Sequence, residues 1–117
     1  MDIKVVTPET NPNVKVLQLT GLFDATVETT AFGTFMEVLG QSAAGVIVDL
    51  AKVDFMSSAG LRVVLAARKK AETDGKRMAL VGAQPSIYKI FKISGLDMLL
   101  HFFEDENEAL QVLWPQT

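Results

Sequence analysis

The chain has 117 residues and a net charge of -3, and 49% of its residues are hydrophobic and 21% are charged. This balance is typical of a globular protein, and the length predicts one domain that spans residues 1–117. The acidic balance gives no electrostatic reason to bind nucleic acid, and the lack of cysteine excludes disulfides, thiolate zinc sites and thiol nucleophiles. No apolar run reaches the roughly 18 residues of a membrane span and the N-terminus lacks signal-peptide features, so we expect a cytoplasmic protein without membrane contact.

The N-terminal part of the chain predicts a hairpin followed by a helix. Residues 3–6 are apolar and partly β-branched, and a loop rich in proline and asparagine follows them. Residues 14–20 alternate with period two until Gly21, so the two segments are expected to pair as strands. From Asp24 or Thr26 onward the apolar spacing becomes that of an amphipathic helix.

The central part predicts a buried strand, a helix and another strand. The first helix is expected to stop at Gly40, and residues 46–50 are short, β-branched and apolar, as in a strand buried on both faces. Helix formers then fill residues 61–72, with Gly75 as the stop signal. Residues 78–81 read as the next strand.

The C-terminal part predicts two more helices with a short strand between them. Pro85 suits the first turn of a helix that Gly95 ends, and residues 101–103 are expected to form an edge strand. Asp105 and Glu108 resemble the capping pair of a last helix. The order β-β-α-β-α-β-α-(β)-α predicts one α/β domain with a mixed, four- to five-stranded sheet covered by about four helices.

Enzymatic sequence motifs are mostly missing. The chain has no phosphate-binding G-x-x-x-x-G-K-[ST] loop, no dinucleotide-binding G-x-G-x-x-G and no G-x-S-x-G elbow. The lone histidine, His101, has no histidine partner at metal-ligand spacing, and we interpret it as an ordinary edge-strand or surface residue. Asp49 and Asp54 could form a carboxylate pair, but solvated loop residues and caps are the favoured interpretation.

Three motifs point to one family. Residues 48–61 read VDLAKVDFMSSAGL, and this segment resembles the signature of the STAS family, and within it of the anti-sigma factor antagonists. Their pattern is a buried strand, an acidic-hydrophobic loop and F-M-[DS]-S-[SAT]-G-L at the start of a helix. Residues 19–24 resemble the family's L-T-G-x-x-D turn, and residues 93–96 its S-G-L turn. The motifs occur in the family's order over nearly the whole chain.

The resemblance assigns phosphorylation to Ser58, since the family's modified serine is the second residue before the glycine, here Gly60. Ser57 stands where many members carry aspartate, which leaves open whether it reacts too. We expect Ser58 to be an N-cap whose hydroxyl is exposed and whose helix accommodates a phosphate. Ala59 and Gly60 would keep the junction narrow, so that another protein's backbone can approach. The alternative is that both serines are plain helix caps.

A partner-docking surface is expected beside Ser58. By helical spacing Leu61, Val64 and Ala71 face inward, whereas the opposite face carries small and basic residues suited to a partner helix. Asp24 is either the cap of the first helix or part of this surface, because the family's docking surface includes that loop. The residues of the expected surface are Asp24, Ser57, Ser58, Ala59, Gly60, Arg62, Ala66 and Lys69.

The resemblance implies a partner-switching regulator that is not an enzyme. Its unphosphorylated form captures an anti-sigma factor that is also a serine kinase, which frees a sigma factor. Phosphorylation of Ser58 ends the capture, and a serine phosphatase reverses it. ATP and Mg²⁺ belong to the kinase, so the chain needs no cofactor. One alternative is a STAS interaction module of lipid transport, secretion or transporter regulation. Another is a hydrolase with Ser58 as nucleophile, for which the sequence shows neither base nor oxyanion hole.

Overall fold

The strands and helices follow the order that the hydrophobic periodicity predicts. The structure is a computed structural model, and it describes residues 1–116. In chain order the elements are β1 (Asp2–Val6), β2 (Val14–Phe23), α1 (Glu28–Gln41), β3 (Gly45–Met56), α2 (Ser58–Thr73), β4 (Arg77–Val81), α3 (Pro85–Ile93), β5 (His101–Phe103) and α4 (Glu106–Leu113). Single turns of 3-10 helix, Ala25–Val27 and Leu96–Met98, precede α1 and β5. The predicted α/β domain with a mixed sheet and four helices is confirmed.

The sheet places the beginnings of three helices at one edge. Its five strands lie in chain order, with β1 antiparallel to β2, as the predicted hairpin requires, and β2 to β5 mutually parallel. Parallel neighbours need a crossover connection, which α1, α2 and α3 supply in turn. Because the carboxyl ends of parallel strands meet at the same edge, each of these helices begins at that edge.

The side chains of the central strand alternate between two apolar layers. Val46 and Val48 of β3 lie in the larger cluster, together with buried side chains of α1, α2 and α3. Ile47 points to the other face, where it packs with residues of α4 and with Trp114. The indole Nε1 of Trp114 donates to the carbonyl oxygen of Ala44 at 3.0 Å, which places Trp114 beside the start of β3. The prediction of a strand buried on both faces is confirmed.

β2 and β3 are longer than the sequence predicts. β2 continues past Thr20 to Phe23, and β3 continues past Leu50 to Met56, so the expected acidic-hydrophobic loop is a strand. Two register shifts interrupt their pairing, and Gly21 has a φ of 106°, which glycine adopts without strain. Since β4 pairs only with the first part of β3, the far ends of β2 and β3 project as a two-stranded ribbon.

One side chain covers the open edge of this ribbon. Gln84 lies just before α3, and its Nε2 is 2.9 Å from the carbonyl oxygen of Val53 and 3.3 Å from that of Ala51. It is also 3.4 Å from Oδ1 of Asp54. The amide group therefore supplies hydrogen-bond donors where β4 no longer reaches.

The first helix has different ends from those predicted. The turn Ala25–Val27 separates Asp24 from α1, which begins at Glu28. α1 also continues to Gln41, one residue beyond the predicted stop at Gly40. Ser42 then ends it, and the Ser42 hydroxyl donates to the carbonyl oxygen of Leu39 at 2.9 Å.

Candidate docking and modification site

Ser57 lies between the end of β3 and the first residue of α2. It has an extended backbone with φ -90° and ψ 176°, and its Oγ accepts a hydrogen bond from the backbone N of Ala59 at 3.2 Å. The expectation that Ser58 is the N-cap is therefore wrong, because Ser57 is the cap and Ser58 is the first residue of the helix. The register explains the difference: Met56 is paired with Phe23, so the chain turns out of the sheet at Ser57.

Ser57 is also bound to the neighbouring strand. The carbonyl oxygen of Phe23 accepts one hydrogen bond from the Ser57 backbone N at 2.9 Å and another from the Ser57 hydroxyl at 3.2 Å. The hydroxyl of Ser57 thus donates to β2 and accepts from α2 at the same time. These bonds would have to break before the Ser57 hydroxyl could react.

Ser58 presents its side chain to solvent. It is exposed, and no hydrogen bond of its hydroxyl is found among residues 1–116. The first amide groups of a helix and its dipole favour negative charge at this position. The Ser58 hydroxyl is therefore accessible from solvent without any rearrangement of the fold.

Ala59 and Gly60 lie beneath the surface rather than on it. Both residues are buried, and a Cβ placed on Gly60 would lie 2.8 Å from Cγ of Met56 and 3.0 Å from Cγ of Phe23. The expectation that a partner's backbone approaches these two residues is corrected: the close approach is made by the ribbon of this chain. Their small size brings the start of α2 down onto the ends of β2 and β3.

Asp24 caps the turn that precedes α1. Its Oδ1 accepts a hydrogen bond from the backbone N of Thr26 at 2.9 Å and another from the Thr26 hydroxyl. The side-chain hydrogen bond from Thr26, followed by the backbone one, holds the pKa of Asp24 below its usual value. Asp24 follows Phe23 directly, so it lies beside the residue that holds Ser57. Both roles expected of Asp24, cap and surface residue, are compatible with this position.

Arg62 joins α2 to α1. Its Nε lies 3.0 Å from Oε1 of Glu28 and its Nη2 lies 3.4 Å from Oε2, so the guanidinium contacts both carboxylate oxygens. The hydrogen bond that Arg62 donates to Glu28, followed by the negative charge of Glu28, raises the pKa of Arg62. Beside this pair lies a shallow groove of about 360 Å³, lined by Glu28, Thr29, Phe32, Arg62, Val63 and Ala66.

The rest of α2 follows the predicted faces only in part. Val64 and Ala71 are buried as expected, whereas Leu61 is only half-buried. Val63 and Ala67 are also buried, although the spacing argument did not include them. Ala66 is half-buried in the groove wall and Lys69 is exposed about 10 Å along the helix beyond Arg62.

Two residues of the groove were not identified as functional from the sequence. Glu28 is in the first turn of α1, where an acidic residue has an ordinary role beside the helix dipole. Phe32 has the spacing of a core residue, yet 43% of it is exposed. The sequence contains no signal that pairs Glu28 with Arg62, because the two residues are 34 positions apart.

Among residues 1–116, none of His101, Asp49 and Asp54 forms a hydrogen bond with the Ser58 hydroxyl. His101 is on the edge strand β5, in a depression that Arg68 also lines, and Arg68 is about 15 Å beyond Ser58 along α2. Oδ1 of Asp49 accepts from the backbone N of Ala51 at 3.0 Å, and Asp54 faces Gln84, so each carboxylate has its own partner.

Residues 1–116 contain neither a metal-ligand cluster nor a membrane-spanning helix. Within residues 1–116 no three histidine, aspartate or glutamate side chains come together as metal ligands. No helix in the same range has the length and apolar character needed to cross a bilayer.

Comparison with known proteins gives one family and several relatives. Residues 6–109 match the family model of the STAS domain. The anti-sigma F factor antagonist of Paenibacillus polymyxa is 29% identical over 68 residues, which are 58% of either chain, so the match spans less than two thirds of that relative. A solved candidate anti-sigma factor antagonist of Thermotoga maritima superposes with a TM-score of 0.85 at 17% identity, covering 95% of this chain and 93% of that one. The phosphorylated form of the Bacillus cell fate determinant SpoIIAA gives 0.69 at 22% identity, with coverage of 94% and 97%.

Proposed function

The chain belongs to the STAS domain family, and on that basis we propose that it is an anti-sigma factor antagonist that switches partners through phosphorylation of Ser58. The unphosphorylated form captures an anti-sigma factor that is also a serine kinase, so that a sigma factor is released. Phosphorylation by that kinase ends the capture, and a serine phosphatase restores it. STAS antagonists are binding proteins and not enzymes. ATP and Mg²⁺ would act in the kinase, in the cytoplasm, and this chain would need no cofactor.

The observation that carries the proposal is the contrast between two adjacent serines. Ser57 is held on both sides by Phe23 and Ala59, whereas Ser58 is exposed at the start of α2. A kinase can therefore reach one hydroxyl without unfolding the helix. The relative from Paenibacillus polymyxa, an anti-sigma F factor antagonist, supports the proposed capture of an anti-sigma factor.

The docking surface is proposed around that hydroxyl. Asp24 follows Phe23, which is hydrogen-bonded to Ser57, and Arg62 lies one helical turn beyond Ser58 on α2. Ala66 continues the surface into the groove between α1 and α2, with Lys69 farther along. Ala59 and Gly60 would contribute indirectly, because their small size lets the start of α2 pack closely against the ends of β2 and β3. A phosphate adds a charge of about -1.5 to -2 and a strongly held hydration shell, and both oppose burial in an interface. Capture would therefore be lost on phosphorylation while the fold remains.

The experiment that tests the proposal compares matched baits isolated from the native cell. The baits are the wild-type protein, Ser58→Glu and Ser86→Glu, where Ser86 is an exposed serine in the first turn of another helix, α3. We expect a protein with an anti-sigma kinase domain on the wild-type and Ser86→Glu baits, and about tenfold less on Ser58→Glu, equal to about 1.4 kcal/mol. Addition of ATP and Mg²⁺ to the recovered complex should place one phosphate on Ser58 and release the bait.

Other outcomes would contradict the proposal. Recovery of components of lipid transport, of secretion or of a transporter in place of a kinase would assign the chain to a STAS module of another pathway. An equal loss with Ser86→Glu would show that the surface around Ser58 is not the docking site.

A further inference from the structure

Arg62 lies one helical turn beyond Ser58. Residues four apart on a helix are neighbours on its surface, with Cβ atoms about 5–6 Å apart. The first two turns of α2, from Ser58 to Leu65, contain one cationic residue, Arg62. In the unmodified chain this guanidinium is turned toward Glu28 on α1. The same side chain can therefore reach two different anionic positions.

We propose that a phosphate on Ser58 takes Arg62 away from Glu28, so that modification exchanges one ion pair for another and changes the rim of the groove between α1 and α2. The inference rests on the proposed function, since it requires that Ser58 carries a phosphate. Arg62 is the group that would bind the phosphate, and its ion pair with Glu28 is the contact that would be lost.

The balance of charge and geometry favours the exchange. The pair of Arg62 with Glu28 is open to solvent, with 62% and 34% of the two side chains exposed, and such pairs contribute little to stability. A phosphoserine has nearly twice the charge of a carboxylate and three acceptor oxygens. It also precedes Arg62 by four residues, the favourable order for an anion and a cation on one helix. The positive end of the helix dipole stabilises the anion further.

The neighbouring acidic groups have other partners. Asp24 accepts hydrogen bonds from Thr26, and Asp54 lies near the amide of Gln84. Glu28 is the carboxylate that competes with the phosphate for Arg62. When Arg62 leaves, the first turn of α1 keeps an unpaired carboxylate at the groove rim. The modified form would thus differ from the unmodified one both at Ser58 and at the groove beside it.

The test uses the full chain with phosphoserine installed at position 58 during translation, so that it depends on no kinase. The second ionisation of the phosphate is followed by ³¹P NMR in the wild-type background and in Arg62→Gln. Loss of Arg62 should strengthen proton binding to the phosphate about threefold. Lys69→Gln is the matched control, since it removes the same charge from an exposed site that lies about 10 Å beyond Arg62 along α2, farther from the phosphate. It should have a clearly smaller effect.

A double-mutant cycle separates exchange from simple repulsion by Glu28. Glu28→Gln should weaken proton binding to the phosphate when Arg62 is present, and this effect should be largely lost in Arg62→Gln. An equal effect of Glu28→Gln in both backgrounds would overturn the exchange, as would equal proton binding in the wild-type and Arg62→Gln proteins. Failure of every kinase to modify Ser58 would instead refute the proposed function and would leave this measurement unaffected.

Discussion

The carbonyl oxygen of Phe23 accepts both hydrogen bonds that Ser57 donates, from its backbone N at 2.9 Å and from its hydroxyl at 3.2 Å. The last residue of β2 and the cap of α2 thereby form one rigid junction. Ser58 projects from this junction, so its position relative to Asp24 and Arg62 is set by the sheet and does not depend on a flexible loop.

The first prediction concerns which serine is modified. With the cognate kinase, ATP and Mg²⁺, the wild-type protein should gain one phosphate on the peptide that contains Ser58, and Ser58→Ala should gain none. Ser57→Ala should still be phosphorylated, but its free energy of unfolding should fall by about 1 kcal/mol because the cap is lost. Mass spectrometry and urea unfolding provide the two measurements. Labelling that persists in Ser58→Ala and disappears in Ser57→Ala would reverse the assignment.

The second prediction concerns the packing beneath the site. In Gly60→Ala the new methyl group would lie 2.8 Å from Cγ of Met56 and about as close to Phe23, so α2 must shift. We expect a loss of about 1–3 kcal/mol in the free energy of unfolding, together with weaker partner binding. Gly33→Ala is the control, because within residues 1–116 its added Cβ would meet nothing within 4 Å beyond its chain neighbours and the backbone of its own helix, and alanine favours the helix. That variant should be as stable as the wild-type protein or more stable, and equal losses in both would contradict the packing argument.

The third prediction separates docking from stability. Phosphorylated protein should melt within a few degrees of the unmodified form, because a helix N-terminus accommodates negative charge. Its affinity for the kinase partner should fall roughly a hundredfold, which corresponds to a penalty of ~3 kcal/mol. Ser58→Glu should show a weaker effect and Ser58→Ala should leave stability unchanged. Thermal unfolding and titration calorimetry measure the two quantities, and a phosphorylated form that melts many degrees lower would refute the mechanism.

The fourth prediction concerns pH and the carboxylates near the start of α4. Burial, and then repulsion by Asp49, raise the pKa of Glu106. The folded chain therefore holds this proton at a higher pH than the unfolded chain, so the group's contribution to stability decreases as pH rises through the folded pKa. Asp49→Asn keeps the oxygen that accepts from Ala51 but removes the repulsion.

In Asp49→Asn the pKa of Glu106 should fall yet stay above its ordinary value, because burial is the larger cause. The decrease in the free energy of unfolding that Glu106 causes as the pH rises should become smaller for the same reason. Carboxyl ¹³C NMR and urea unfolding between about pH 4 and about pH 8 measure both effects. An unchanged pKa of Glu106 would show that Asp49 does not act on it.

Much of the fold follows from the sequence because most of its elements carry a clear period. Val46, Ile47, Val48 and Leu50 are buried as their spacing predicts, and so is most of the apolar face of each helix, with Phe32 and Leu61 among the exceptions. The outer parts of β2 and β3 were missed because register shifts break the alternation there, and because one face of the ribbon is open to water. The sequence predicts a strand end at Gly21, but a glycine within a strand can equally mark a bulge, and β2 continues through it.

The sequence predicts which segment forms the candidate site but does not predict the side-chain contacts within it. The serine pair before Gly60 marked the start of α2, but two adjacent serines are equally good caps and only the strand register selects Ser57. The pairing of Arg62 with Glu28 depends on how α1 and α2 pack, which no local pattern encodes. Ala59 and Gly60 appeared accessible in sequence because small residues do not reveal which side of a helix approaches the sheet.

The side chain of Gln84 has a consequence for how copies of this protein behave at high concentration. An open strand edge is a template on which a strand of another molecule can add, and such addition begins fibrous aggregation. The amide of Gln84 already occupies the carbonyl oxygens of Val53 and Ala51, so the ribbon offers fewer free acceptors to a second molecule. Addition of a second strand at this part of β3 is therefore less favourable than at a strand edge whose carbonyl oxygens are all free.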